Sequence, residues 1–101
     1  MALVFTNYKR QRIVLGDATY EHISEIHPEV TLDHIKSALE DPDEVRKSSY
    51  KENSELYYLR RTSRRFTCVV VKICSDGNFI STALTAERPK IGRVIYRKGE
   101  R

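Results

Sequence analysis

The spacing of hydrophobic positions changes along this chain from a helical period to a strand period. Between Asp17 and His27 the apolar positions fall on one side of a helix drawn at about 100° per residue. They form an arc of about 120° that consists of Thr19, Tyr20, Ile23, Ile26 and His27. Asp17 is a suitable N-cap, and Pro28 disfavours helical geometry at the residue before it. The pattern predicts a first helix that begins at Asp17 and ends at His27, with His22 at the border of the buried arc.

A second helix is predicted from the positions that follow Thr31. Thr31 is its expected N-cap, and the Asp41-Pro42 pair ends it because a residue before proline disfavours helical geometry. Its apolar stripe at i, i+3, i+6 and i+7 consists of Leu32, Ile35, Ala38 and Leu39. His34 borders that stripe, so we interpret it as a half-exposed residue of the helix surface.

The second half of the chain has the pattern of a strand meander. Residues 66–74 form the longest apolar run and are predicted to be the central strand. The Asp76-Gly77 pair favours a tight hairpin turn that returns the chain as a strand over residues 79–85. Residues 56–60 have high β-propensity, and the charged segment 43–48 suits an edge of the sheet.

Three further segments have weaker patterns. Residues 3–5 fit an edge strand or an ordered arm, residues 12–15 a short strand, and residues 91–96 a last strand or an ordered tail. We therefore predict an α+β fold in which two N-terminal helices pack on one face of a four-stranded antiparallel sheet. The whole chain, residues 1–101, is expected to be one domain whose core spans about residues 12–96.

Composition agrees with a single globular domain. The 101 residues are 40% hydrophobic and 32% charged, which is not the balance of a disordered chain. No apolar run approaches the roughly 18–20 residues that a membrane span requires, and the first residues have no basic leader. We therefore expect no membrane segment and a cytoplasmic protein.

The two cysteines are not expected to form a disulfide. Cys68 and Cys74 lie in the same predicted strand, which separates them by about 20 Å, too far for a disulfide or for one shared metal ion. Both are expected to be buried or half-buried thiols.

The net charge of +4 hides a strong asymmetry along the chain. Residues 1–16 carry +3, residues 17–55 carry −7, and residues 56–101 carry +8. A basic second half beside an acidic helical segment favours a protein that binds an anion such as RNA or DNA. The alternative is that the excess charge is spread over a solvated face.

One candidate anion site lies on the sheet face away from the helices. Strand alternation places Lys72 on that face, near the predicted hairpin, with Ser81 or Thr82 as its neighbour depending on the strand register. A lysine beside a hydroxyl is consistent with a phosphate site. The alternative is an edge lysine whose stem covers apolar surface and an ordinary strand hydroxyl.

Arginines around one turn form the densest positive patch. These are Arg60, Arg61, Arg64 and Arg65. Guanidinium groups can bind phosphate through two hydrogen bonds, and the nearby Tyr57 and Tyr58 could stack on bases. The alternative is a set of solvated arginines beside tyrosines that fill the core.

Metal chemistry is not indicated by the histidine spacing. His22 and His27 are five residues apart, hence about 140° apart on a helix, so they cannot chelate one ion as an i, i+4 pair can. The chain has neither a phosphate-binding glycine loop nor a dinucleotide fingerprint, so we expect neither a metal nor a cofactor. Metal-free cleavage of RNA fits better, because the substrate's own 2′-hydroxyl is the nucleophile. The protein then supplies an acid–base group and fixed positive charge.

Five segments together resemble a known nuclease superfamily. They are the stretch from His22-Ile23 to His27-Pro28-Glu29, Asp41 to Val45, Glu55 to Tyr58, Val69 to Lys72, and Thr82 to Thr85. In this order they resemble small phage-associated domains of the barnase–EndoU–colicin–RelE superfamily, over roughly residues 12–96. The resemblance implies helices on a four-stranded antiparallel sheet and a toxin-type RNase that needs no metal ion.

The resemblance also implies roles for individual residues. It identifies His22 as the leading acid–base candidate, Arg60 and Lys72 as contacts to the phosphate or transition state, and Thr82 as the last-strand hydroxyl. The candidate substrate-binding residues are His27, Tyr58, Arg61 and Ser81. His27 could instead hold Glu29 and the following turn in place, and Leu84 stands where relatives often have an aromatic residue.

Three functions remain open at this point. The first is an endoribonuclease of toxin or phage-associated type, with RNA as its partner. The second is a non-catalytic RNA-binding module on the same fold. The third is an interaction module whose basic half binds an acidic partner, such as an antitoxin or immunity-type protein.

Overall fold

The computed structural model describes residues 2–49, 51–89 and 92–99. Along these residues the secondary-structure elements are β1 (Leu3–Thr6), β2 (Arg12–Leu15), α1 (Asp17–Ile26), α2 (Leu32–Glu40), β3 (Glu44–Lys47), β4 (Ser54–Thr62), β5 (Arg65–Cys74), β6 (Gly77–Ala86) and β7 (Arg93–Arg97).

Helix α1 ends where the sequence predicts but begins one residue away from the expected cap. The N-cap is Gly16, whose extended backbone precedes the first helical residue, Asp17. Asp17 lies in the first turn instead, where a carboxylate is favoured by the helix dipole. At the other end the His27 N–H donates to the Ile23 carbonyl at 2.7 Å, and His27 is the C-cap. The end of the helix before Pro28 is confirmed.

Helix α2 has a capping box at its N-terminus. The Thr31 hydroxyl accepts from the His34 N–H at 3.2 Å, and His34 Nδ1 accepts from the Thr31 N–H at 3.3 Å. Thr31 as the N-cap and Asp41 at the C-cap are therefore confirmed. Neither of the helices in the described ranges, which have ten and nine residues, has the length and apolar character that a bilayer crossing requires.

The prediction of a four-stranded antiparallel sheet is wrong. The described residues form a mixed sheet of seven strands in the order β1-β2-β6-β5-β4-β3-β7. A meander of β3, β4, β5 and β6 is present within it, and every pairing there is antiparallel. A sheet of those four alone would leave β3 and β6 with unpaired backbone groups. The β1–β2 hairpin covers β6 by a parallel pairing of β2, and β7 covers β3.

Two short segments therefore belong to the sheet rather than to its periphery. Strand β2 buries Ile13 and Leu15 in the main core, which fixes it against β6. Segment 43–48 is expected at an edge of the sheet. That prediction is wrong, because β7 pairs with the outer side of β3. Ile91, the first residue of the predicted last strand, lies outside the described residues.

The two faces of the sheet differ in what covers them. Both helices contribute to the main core, where Ile23 and Ile35 pack with Val69 and Val71 of β5. We call this side the helix face. The other side, the open face, carries a smaller cluster of Tyr58, Phe66 and Cys68 with partly buried Leu56, Val70, Leu84 and Ala86. The assignment of Val69 and Val71 to the helices, and of Lys72 to the opposite side, is thus confirmed.

Candidate active site

The sheet divides the sequence-predicted site residues into two groups. His22 lies on α1 and His27 at its end, both on the helix side. Arg61 also acts on this side, because after burial its charge is the next cause that lowers the pKa of His34 in α2. The residues on the open face are Tyr58, Arg60, Lys72 and Thr82.

The structure does not bring His22 and Lys72 together. His22 is exposed on α1, and its neighbour Ile23 packs in the core beside Val71. Lys72 follows Val71 in β5 and therefore points to the other side of the sheet. A single phosphate cannot be bound between these two side chains.

A β-bulge settles which hydroxyl lies where on β6. Val70 pairs with Thr82 while Val71 pairs with Ile80, so Ser81 is the extra residue. Lys72 lies opposite Phe79, and neither Ser81 nor Thr82 is its direct partner across the strands.

The rings of Tyr57 and Tyr58 are both buried, so neither is free to stack on a base. Tyr57 is fully buried, and its hydroxyl accepts a hydrogen bond from the Asn7 side-chain amide at 2.9 Å. Tyr58 is buried in the open-face cluster, where desolvation raises the pKa of its hydroxyl. The guanidinium of Arg60 lies 5.0 Å from the ring centre of Phe66, on the open face.

Three side chains that are far apart in the sequence meet at the end of α1. The Thr85 hydroxyl donates a 2.9 Å hydrogen bond to Oε2 of Glu29, and His27 Nδ1 lies 3.6 Å from the same oxygen. His27 is held at the helix end by its own backbone, because its N–H donates to Ile23 and its carbonyl accepts from Val30. The two residues Pro28 and Glu29 then form a tight turn that returns the carboxylate toward the imidazole. We call His27, Glu29 and Thr85 the carboxylate–imidazole cluster.

Glu29 is ionised at neutral pH in this environment. Its pKa is lowered by a backbone hydrogen bond, then by the Thr85 hydroxyl, and further by the charge of His27. Both Glu29 and His27 are partly solvent-accessible, with side-chain exposures of 50% and 32%. The cluster is thus open to a substrate and carries a fixed negative acceptor beside an imidazole.

Positive charge is available next to this cluster. The pKa of His34 is lowered first by burial and then by the Arg61 charge. The charge of Arg61 thus acts on His34, five residues after Glu29 in the chain. Arg61 lies where the pairing of β4 and β5 shifts between Arg60 and Thr62, so it is an extra residue at the strand end.

The strand register gives the width of the site. Leu59, Thr67 and Thr85 lie opposite one another on β4, β5 and β6. Two inter-strand spacings separate β4 from β6, about 10 Å in all. Arg61 lies two residues beyond Leu59 on β4, at the same end of the sheet as the carboxylate–imidazole cluster.

The sequence offered His27 as a residue that holds Glu29, and these two side chains do lie together, but it did not indicate that Thr85 joins them. The resemblance points to Thr82 in the motif Thr82 to Thr85, whereas the hydroxyl that contacts Glu29 belongs to Thr85. A usable signal was present in Ala83, a small apolar residue that suits the core, because Thr85 shares its side of the strand. Within the described ranges, no three His, Cys, Asp or Glu side chains lie close enough together to hold a metal ion.

The sequence is similar to that of a known protein family. A family model described as phage-Barnase-EndoU-ColicinE5/D-RelE like nuclease 2 matches residues 2–101. Neither a curated protein nor a solved structure matches this chain.

Proposed function

This chain belongs to the phage-Barnase-EndoU-ColicinE5/D-RelE like nuclease 2 family, and on that premise we propose that it is a metal-independent endoribonuclease of toxin or phage-associated type. The family supports a nuclease function. The restriction to RNA, the absence of a metal requirement and the assignment of residues are our proposal.

The carboxylate–imidazole cluster is the observation that carries this proposal. Glu29 Oε2 faces Nδ1 of His27 at 3.6 Å, and the Thr85 hydroxyl holds that oxygen in place. A carboxylate beside Nδ1 favours the imidazole tautomer that carries its proton there. The lone pair of Nε2 is then free to accept a proton from a substrate, which is the arrangement of a general base oriented by a third group.

The proposed reaction uses the nucleophile that RNA itself contains. Nε2 of His27 accepts the proton of the 2′-hydroxyl, and the 2′-oxygen forms a bond to the adjacent phosphorus. The bond between phosphorus and the 5′-oxygen breaks, and the leaving oxygen takes a proton from solvent. The products are a 2′,3′-cyclic phosphate and a free 5′-hydroxyl. Arg61 stabilises the added negative charge on the phosphate oxygens during the step.

His22 and His27 provide a matched pair of variants for the test. An RNA oligonucleotide is incubated in EDTA with wild-type protein, His27→Ala or His22→Ala, and the ends of the products are identified by mass spectrometry. General acid–base groups contribute about 10²- to 10⁴-fold to rate, so His27→Ala should lose at least 10²-fold. His22→Ala, which changes an exposed residue of the same helix, should keep wild-type activity.

Other results would contradict the proposal. Cleavage of an oligonucleotide that has a 2′-deoxy sugar at the cut position would exclude attack by the 2′-hydroxyl. An inactive His22→Ala beside an active His27→Ala would move the site to His22. Activity that is lost in EDTA and restored by a divalent ion would exclude the metal-independent reaction.

Binding without cleavage is a second candidate function. It is favoured by the arginines of the β4–β5 turn, which line a cleft at the end of these strands. A binding module would retain RNA under every condition without producing fragments, and its affinity would not change in His27→Ala.

A further inference from the structure

A basic cleft lies at the tip of the β4–β5 hairpin. Its volume is about 680 Å³, and its wall contains four arginines, Arg60, Arg64, Arg65 and Arg88, together with Phe66 and Glu87. Four arginines and one glutamate thus line the cleft. Such a concentration of fixed positive charge attracts a polyanion.

The charges in this cleft are not neutralised by the protein. In the described ranges, none of the four guanidinium groups is in an ion pair. Two arginines elsewhere on the sheet differ, because Arg46 and Arg97 both pair with Glu44. The arginines of the cleft are therefore available to an anionic ligand.

The cleft adjoins the proposed cleavage site at the end of the same strands. Phe66, in the cleft, pairs with Ala86, and Ala86 follows Thr85 of the carboxylate–imidazole cluster. On β4 the two consecutive residues Arg60 and Arg61 lie on different faces, with Arg60 over Phe66 and Arg61 near His34. Adjacent Cα atoms are about 3.8 Å apart, so these two arginines place positive charge on both faces of β4 at one end of the strand.

We propose that this cleft binds the phosphates of a single-stranded RNA whose cleaved phosphodiester lies at His27, so that the strand crosses from the helix face to the open face around the end of the sheet. The inference rests on the proposed function for the position of the cut. It adds a substrate class, a flexible single strand longer than a dinucleotide, and a binding subsite.

Two features favour a single strand over a duplex. A ligand that occupies both the cleft and the cluster must pass around the ends of the strands within a few nucleotides. A double helix is too stiff for such a turn, since the persistence length of DNA is about 50 nm. The cleft also continues, through Glu87 and Arg88, into an apolar groove of about 280 Å³ whose lining includes Leu56, Val70 and Leu84. Unpaired bases can enter such a groove, whereas a duplex keeps its bases stacked inside.

Binding is measured first, without cleavage. The probe is a 2′-O-methyl 12-mer RNA with a fluorescent label, which keeps its phosphates but has no nucleophilic hydroxyl. The variant Arg64→Glu/Arg65→Glu is compared with Arg12→Glu/Lys51→Glu, which makes the same change of charge at exposed positions outside the cleft. Thermal melting confirms that both are folded.

The arginine variant should lose at least tenfold in affinity, and the control should bind as wild type does. Each phosphate contact contributes about 0.7 to the slope of log affinity against log salt for single strands. Two lost contacts should therefore reduce that slope by about 1.4. Equal weakening in the two variants would show a general charge effect and overturn the subsite. A 12-bp duplex that competes as well as the single strand would overturn the strand path.

Cleavage separates this inference from the proposed function. With cleavable RNA, Arg64→Glu/Arg65→Glu should reduce kcat/KM for a 12-mer at least tenfold more than kcat/KM for a dinucleoside monophosphate, which is too short to reach the cleft. If the wild-type protein binds RNA through the arginines but cleaves neither substrate, the proposed function is refuted and the subsite is not. Wild-type protein that cleaves, with no effect of the arginine variant on the 12-mer, would refute the subsite alone. If the variant lost binding of polyglutamate but not of RNA, the cleft would be assigned to an acidic protein instead.

Discussion

The Thr85 hydroxyl donates its hydrogen bond to the Glu29 carboxylate across 56 positions of sequence. The donor comes from the end of β6 and the acceptor from the turn between the helices, so the bond joins the two halves of the chain at the candidate site. Because it stabilises the charged form of Glu29, this contact can be measured as a change in pKa.

We expect Thr85→Val to raise the pKa of Glu29 toward its ordinary value. The variant removes one donor to the carboxylate and keeps the β-branched shape. The measurement is an NMR titration of the Glu29 side-chain carboxyl carbon. Thr82→Val is the matched control, since Thr82 lies opposite Val70 on the open face, away from Glu29. An unchanged titration in Thr85→Val would show that the hydrogen bond is absent in solution.

A histidine in the capping box of α2 makes the protein less stable in acid. The pKa of His34 is lowered from 6.5 in the folded state, first by burial and then by the Arg61 charge. The unfolded chain therefore binds this proton more readily than the folded one. The stability that neutral His34 contributes is fully present above pH 6.5 and is lost as pH falls through the lowered folded value.

We expect His34→Gln to lose less stability than wild type between pH 7 and pH 5. Glutamine at this position also completes a capping box, but it does not titrate. The free energy of unfolding is measured by chemical denaturation at the two pH values. Thr31→Ala is the comparison, since loss of the N-cap hydroxyl should cost about 0.5–2 kcal/mol at both. Parallel pH profiles for His34→Gln and wild type would contradict the linkage.

The two cysteines should react at different rates in the folded protein. Burial raises the pKa of the Cys68 thiol to about 12, whereas Cys74 is only half-buried near the end of β5. With iodoacetamide at pH 8, Cys74 should be modified first and Cys68 only after unfolding in guanidinium, as read by peptide mass spectrometry. Equal rates in the folded state would show that the open-face cluster around Cys68 is not closed.

Gly92 is required for β7 to approach β3. Its φ is +88°, and an added Cβ would lie 2.2 Å from the Lys47 carbonyl oxygen. Gly92→Ala should therefore lower the free energy of unfolding by more than the 1–2 kcal/mol that a left-handed backbone conformation costs alone. Gly99→Ala is the control, because Gly99 has φ +79° but nothing within 4 Å of the added methyl group. Equal losses in the two would assign the whole effect to backbone strain.

The positions of the helices and of the meander strands could be predicted because their signals are local. Pro28 ends α1, Thr31 caps α2, and Asp76-Gly77 turns the chain between β5 and β6. The partner of a short strand has no such signal. Nothing within residues 12–15 indicates that Ile13 pairs with Asn78, or that this pairing is parallel. The count of four strands was wrong for that reason.

A single extra residue in β6 decides which threonine reaches Glu29. In an unbroken hairpin counted from Asp76-Gly77, Ser81 would lie opposite Val70, and Thr82 would share the helix face. The bulge at Ser81 moves every later side chain of β6 to the other face. Thr82 then lies on the open face, while Ala83 enters the core and Thr85 reaches Glu29. Residue propensities do not predict such a bulge, so the sequence motif indicated the strand but not that Thr85 faces Glu29.

The parallel pairing of β2 with β6 has a consequence for biosynthesis. The hairpin that contains β2 leaves the ribosome early, but the strand that covers it is translated late. Until then Ile13 and Leu15 have no sheet to pack against, and a nascent polypeptide exposes them to chaperones and to other chains. Thr85 arrives with the same late strand. The proposed active site therefore stays incomplete in a partly translated chain, because the hydroxyl that positions Glu29 has not yet been added.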